Sequence, residues 1–150
     1  MGIIRVINYL SYFLNIEFLE VSMKLNSIHH VAIICSNYKK SKEFYVDILG
    51  LKIVKETYRK ERESYKLDLA VADKYQIELF SFSQPPERVS YPEATGLRHL
   101  AFEVDNIGET IMELNKKNII TEIVRIDEIT KNKFTFFEDP DCLPIELYEK

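Results

Sequence analysis

Cysteine is scarce in this chain of 150 residues: Cys35 and Cys142 stand far apart, without the short spacing of metal-binding thiols. That argues against a disulfide-stapled secreted domain and a thiolate metal site, and fits reduced thiols in a cytoplasmic protein. Basic blocks are missing too. None is longer than a pair, and 20 basic residues against 24 acidic ones leave a net charge of −4, so nucleic acid is not expected as a partner. Low-complexity segments are absent. The opening 22 residues are apolar and aromatic, but Asn8, Asn15, Glu17 and Glu20 interrupt them. Their charge-free stretch, Val6 to Ile16, is too short to span a bilayer, and no small-residue cleavage site follows it. No membrane association is expected.

What is present begins at Met23-Lys24-Leu25, where a patterned domain covering 23–150 starts as a gene would. Residues 1–22 read as an extension outside that domain. It is either the product of a mis-assigned start codon or an extra helix packed on the domain or on a partner subunit. A hydrophobic content of 46% supplies one core, for a single compact domain or two half-domains.

The domain says the same thing twice. HVAI begins at His30 and the first half runs to IELF, with Glu78; HLAF begins at His99 and the second runs to IELY, with Glu146. The His-to-Glu intervals are 48 and 47 positions, and Asn37 and Asn106 each fall seven residues after the His. Such self-similarity marks a duplicated supersecondary unit. In each half a strand leads to an Asn-capped amphipathic helix and then three further strands, a βαβββ unit. In the first half, Phe44, Tyr45, Ile48 and Leu49 give the helix its apolar face and Gly50 ends it. Module 1 spans 24–83 and module 2 spans 97–150. The linker 84–96, QPPERVSYPEATG, holds three of the chain's five prolines. The second module is expected to use strands over 98–104, 120–126, 133–138 and 143–149, with a helix over 107–117.

Strand alternation sorts the faces. His30, Ala32 and Ile34 share one face, as do Glu78, Phe80 and Phe82; His99, Ala101 and Glu103; and Glu146 and Tyr148. The opposite face is almost wholly aliphatic (Val31, Ile33, Ile77, Leu79, Leu100, Phe102, Ile145, Leu147) and suits packing on the helices. His29 falls on that helix side and is expected to be partly buried and structural. If pseudo-symmetry brings the two ligand-bearing faces together, two imidazoles and two carboxylates make a site for one divalent metal. A buried Glu78 or Glu146 without a partner would be costly, and a metal removes that cost. Glu103 reads as a solvated rim residue, and Cys35 as packed and inert.

These segments, with FYVDILGLKI, GLRHLAF and FEDPDCLPIELYE, resemble the vicinal oxygen chelate superfamily over residues 24 to 150, and within it the small bacterial glyoxalase I-like proteins. The resemblance implies an α+β fold of two βαβββ modules cupping a divalent metal (Ni, Zn, Co, Mn or Fe), within a homodimer. It implies that His30, Glu78, His99 and Glu146 are the ligands. Ring-cleaving dioxygenases and fosfomycin-resistance thiol transferases of this type use three ligands and bleomycin binders none, so four look most like glyoxalase I. The implied chemistry is a lyase or isomerase reaction on a small oxo substrate or thiol adduct. A metal-stabilised enediolate would form as Glu146, with Glu78 as its pseudo-symmetric partner, moves a proton. Ile34, Phe80, Phe82 and Tyr148 are candidate substrate-lining residues. Where glutathione-using enzymes are expected to place an Arg and an Asn, this chain has Ile34 and Phe82. The alternatives are an epimerase or Fe(II) dioxygenase on the same metal, or a small-ligand binding protein without turnover.

Overall fold

The computed structural model describes residues 23–150; the extension expected over 1–22 lies outside them. The first module runs β1 (Val31–Cys35), α1 (Tyr38–Lys42, continued by a wider turn Glu43–Ile48), β2 (Lys52–Arg59), β3 (Ser64–Val71) and β4 (Lys74–Ser81). The second runs β5 (Leu100–Val104), α2 (Ile107–Lys116), β6 (Arg125–Ile126), β7 (Lys133–Glu138) and β8 (Pro144–Glu149). Each module makes its own four-stranded mixed sheet, ordered β1-β4-β3-β2 and β5-β8-β7-β6, with the first and last strands of the unit parallel. The fold is α+β, two βαβββ units.

Local chemistry repeats with the topology. Asn37 Oδ1 accepts from Lys40 N–H at 3.1 Å and Asn106 Oδ1 accepts from Glu109 N–H at 3.1 Å, so both helices start on the same side-chain cap. Gly50, at φ +76°, follows the first helix in the left-handed region that a glycine takes without strain. Before it the helix widens: Leu49 N–H donates to Phe44 O, five residues back. This turn carries Phe44 and Tyr45, both fully packed in the core.

The faces fall as alternation requires. Ile33, Ile77, Leu79, Ile145 and Leu147 are buried in one continuous core with Phe44, Tyr45, Ile107 and Leu114, and Val31, Leu100 and Phe102 pack against it. The core crosses between modules, with Phe44 and Phe137 rings 6.2 Å apart. Tyr45, the most deeply buried aromatic, donates its hydroxyl to Asp139 Oδ2 at 2.9 Å. Lys117 Nζ donates to the carbonyls of Asp47 (2.7 Å) and Ile48 (2.8 Å), a cation on the open carbonyl end of the first helix.

Two expectations need correction. The strand expected over 120–126 shrinks to Arg125–Ile126. Ile120 and Ile123 are more than four-fifths exposed, so their apolar character reflects no core face. His29 is exposed rather than partly buried, because β1 begins only at Val31 and the alternation rule does not reach back to it.

Candidate functional site

Parallel pairing decides where the four candidate ligands stand. β1 and β4 align Ala32 with Glu78, and β5 and β8 align Ala101 with Glu146. His30 and His99 each lie two residues ahead of the aligned alanine, so both modules hold a His and a Glu at the same point of the same sheet face. His30 Nε2 is 3.7 Å from Glu78 Oε2, and His99 Nε2 is 3.0 Å from Glu146 Oε2. The two pairs stay apart within one chain: among the described residues, no three His, Cys, Asp or Glu side chains gather closely enough to hold a metal ion.

Donor chemistry and spacing fit a divalent ion. Two ligands about 2.1 Å from an ion and at right angles are about 3.0 Å from each other, the separation of His99 and Glu146. The His30 pair is somewhat wider. Glu78 and Glu146 each present one oxygen to the neighbouring imidazole, and about a third of each His side chain is exposed.

The surroundings of the two carboxylates differ. Glu78, buried, sits opposite Asp68 on β3, and its Oε1 accepts from Lys66 Nζ at 2.7 Å and from the Tyr75 hydroxyl. Lys66 also bonds Asp68 Oδ1 at 2.5 Å. Burial alone would raise the Glu78 pKa, but these donors and His30 outweigh it and hold the carboxyl below its ordinary value. Tyr75 is pushed up to about 12 by burial and by its bond to Glu78. Burial works against the Lys66 ammonium, yet the bonds to Asp68, Glu78 and Tyr75 leave its pKa raised.

In module 2 the corresponding positions are aromatic. Phe136 lies opposite Glu146 and Phe134 opposite Tyr148, and the His99 ring meets Phe136 edge-on at 5.3 Å. Among the described residues the His99 imidazole is the one basic side chain paired with Glu146. Asp68, Tyr75, Phe134 and Phe136 are additions from the structure. Extending alternation into β3 and β7 would have put Asp68 and both phenylalanines on this face. His29 belongs beside the site as well, with its Nδ1 2.8 Å from His30 Nδ1 and its ring edge-on to Tyr75.

The lining candidates separate. Ile34 pairs with Phe80 and is more than half exposed; it borders a cleft of ≈ 620 Å³ that reaches the linker at Pro85 and Arg88. Phe80 and Phe82 are roughly parallel rings 6.3 Å apart. Tyr148 is tied by its hydroxyl to Thr130 and Asp127 in the second module's loop. Glu103 is exposed beside Lys150, and Cys35 is buried, its thiol pushed up to about 11 by burial. A larger cleft, ≈ 680 Å³, lies between the end of the first helix and α2. It contains none of the four candidate ligands; Glu103, Glu109 and Glu113 line it beside Val71, Phe102 and Leu147, with no histidine among them.

Comparison with known proteins agrees with the paired βαβββ fold. Residues 27–147 match the model of the Glyoxalase/Bleomycin resistance protein/Dioxygenase superfamily. The chain belongs to that superfamily. The chain is 59% identical over 128 residues to the uncharacterized protein YwkD of Bacillus subtilis, covering 85% of this chain and 100% of that one. It is similar to the crystal structure of the glyoxalase family protein from Enterococcus faecalis at 51% identity and a TM-score of 0.77, covering 85% and 100%. More distantly, it is 30% identical over 100 residues to the mitochondrial methylmalonyl-CoA epimerase of Mus musculus, covering 64% and 56%. No helix among the described residues is long and apolar enough to cross a membrane.

Proposed function

We propose that this superfamily member is a metal-dependent lyase or isomerase of the glyoxalase I type, acting on a small oxo substrate or thiol adduct. In this reading His30 and Glu78 of one copy meet His99 and Glu146 of a second, so that a homodimer carries two four-ligand sites. The observation that carries it is the pair of His–Glu contacts at the same register in both modules, at 3.7 and 3.0 Å. Neither pair completes a metal shell alone, and each sits on an open face.

A divalent ion held there would act as a Lewis acid on two adjacent substrate oxygens, stabilising the charge that develops when a neighbouring carbon loses its proton. The chain's own residues then divide the labour. Glu146 takes the proton and returns it to the adjacent carbon, since its oxygens face no lysine and its cross-strand neighbour is Phe136. Glu78, anchored by Lys66 and Tyr75, is held as a fixed ligand, its basicity spent on those donors. Phe134 and Phe136 exclude water on the base side. Similarity to the mouse epimerase supports a second reading, proton removal and return at one carbon beside a carbonyl, with the same residues in the same roles.

Mixing tests the shared site. A chain lacking the first pair (His30→Ala, Glu78→Ala) and a chain lacking the second (His99→Ala, Glu146→Ala) should each bind no metal. Refolded together, they should regain roughly a quarter of the wild-type metal, because half of the statistical dimers carry one intact site in two. No recovery, with hybrid dimers demonstrated by mass, would refute the shared site. Glu146→Gln should keep the fold and lose at least about 100-fold in turnover of a 2-oxoaldehyde–thiol adduct. Wild-type turnover in that variant would remove Glu146 as the base.

A further inference from the structure

At the far end of the module 1 face, three buried polar atoms lack a partner among the described residues: Nε and Nη2 of Arg59 and Oγ of Ser64. Arg59 and Ser64 are directly paired across β2 and β3, so both side chains point to one face of the sheet. Ser64 shares that face with Lys66 and Asp68 by alternation, which makes it the face of His30 and Glu78. The Arg59 guanidinium lies over the rings of Phe80 (4.8 Å) and Phe82 (5.4 Å). It therefore sits above β4 about three residues, or roughly 10 Å, beyond Glu78.

Module 2 supplies the control. Arg125 stacks in the same manner on Phe134 (4.9 Å) and Phe136 (5.3 Å), but its Nη2 is bound to Glu122 Oε2 at 2.9 Å. Among the described residues, one arginine on an aromatic pair has its carboxylate and the other does not. Nε and Nη2 form the side edge of the guanidinium, which matches the two oxygens of a carboxylate in a pair of parallel hydrogen bonds. A dry, unpaired edge of this kind is costly to keep, and an incoming carboxylate recovers the loss. Lys66, the cation nearest Glu78 on this face, is already occupied by Asp68 and Glu78.

We infer that Arg59, helped by the Ser64 hydroxyl, binds a carboxylate of the substrate, on an arm that extends about 10 Å from the His30–Glu78 pair. Resting on the metal-site reading above, this narrows the substrate to a small molecule with two vicinal oxygens at one end and a carboxylate at the other, three or four carbons along.

The test has two arms. In EDTA-treated full-length protein, adipate should shift the Arg59 Nε–H resonance, assigned by its loss in Arg59→Lys. In nickel-loaded protein, 2-hydroxyadipate should bind at least about tenfold more tightly than 2-hydroxyhexanoate, the affinity equivalent of one charge-assisted hydrogen bond. Arg59→Gln should erase that preference, and Arg59→Lys and Ser64→Ala should reduce it. If Arg59→Gln does not fold, the Lys and Ala variants decide. An Nε–H signal unmoved by adipate, or a preference that survives in the variants, overturns the assignment. If nickel does not bind while adipate still moves the Arg59 signal, the metal reading fails and the carboxylate site stands.

Discussion

The bond between Tyr45 and Asp139 ties the helix of one module to a turn of the other, and Tyr45→Phe removes it at the cost of a single oxygen. Both residues are buried, and the hydroxyl donates to Asp139 Oδ2 at 2.9 Å. The other carboxylate oxygen accepts from the backbone of Asp141 (2.9 Å) and Leu143 (2.8 Å). Loss of a hydrogen bond to a charged group costs about 1.5–3 kcal/mol, which lowers Tm by roughly 4–10 °C in a domain of this size. The penalty depends on pH. Burial raises the Asp139 pKa above its ordinary value, against the lowering effect of its hydrogen bonds, Tyr45 among them. A carboxyl whose folded pKa is raised costs stability once ionised, and that cost grows as pH rises from the unfolded value to the folded one. Without Tyr45 the folded value moves higher still, so the variant loses more over this window. The wild-type-to-variant gap should be full at pH 7. It should shrink as the pH falls through the raised value, toward the roughly 0.5–1.5 kcal/mol of a neutral hydrogen bond. Thermal unfolding by circular dichroism at pH 4 to 7 measures it. A Tm within about 1 °C of wild type at pH 7, or a gap that widens in acid, would refute the latch.

Glu149 Oε2 accepts from the Ile107 N–H at the start of α2, and its Oε1 pairs with Lys133, which hold its pKa low. Glu149→Gln should therefore lower Tm at neutral pH, and the difference should fade as pH drops below the ordinary carboxylate value of about 4.3 and through the depressed folded one; a difference independent of pH would assign it to packing. With Ile34 and Phe82 at the positions where glutathione anchors are expected, each missing charge-assisted bond costs about 1.5–3 kcal/mol. Steady-state kinetics should then show weak or no turnover of the methylglyoxal–glutathione adduct, and a kcat/KM above about 10⁶ M⁻¹s⁻¹ would place the anchors elsewhere. A chain starting at Met23 keeps both modules and all four candidate ligands, so its metal content and Tm should equal those of the full chain by elemental analysis and calorimetry; a lower Tm would show that residues 1–22 pack on the domain.

Much of this architecture is written in local pattern. Asn37 and Asn106 cap helices because a short side chain can reach back to an open backbone N–H from sequence neighbours alone. Strand alternation separates Ile33, Ile77, Leu79 and Ile145 from Glu78 and Glu146 because the period of two is a backbone property. The matched His-to-Glu intervals likewise announce that each pair shares a sheet, since a parallel first and last strand is how one βαβββ unit closes. Pattern misleads where tertiary packing withholds a partner: Ile120 and Ile123 look like strand residues but have no face to cover. Other features depend on strands distant in sequence. Lys66 and Tyr75 reach Glu78, and Phe136 faces Glu146, only once registers are set by hydrogen bonding along whole strands. That the Arg59 edge lacks a partner among the described residues emerges only once β2, β3 and β4 are assembled. The separation of the two His–Glu pairs within one chain is likewise a tertiary result. A repeat determines what each half looks like, whereas the packing of Phe44 and Tyr45 against Phe137 and Asp139 determines which faces the halves turn toward each other.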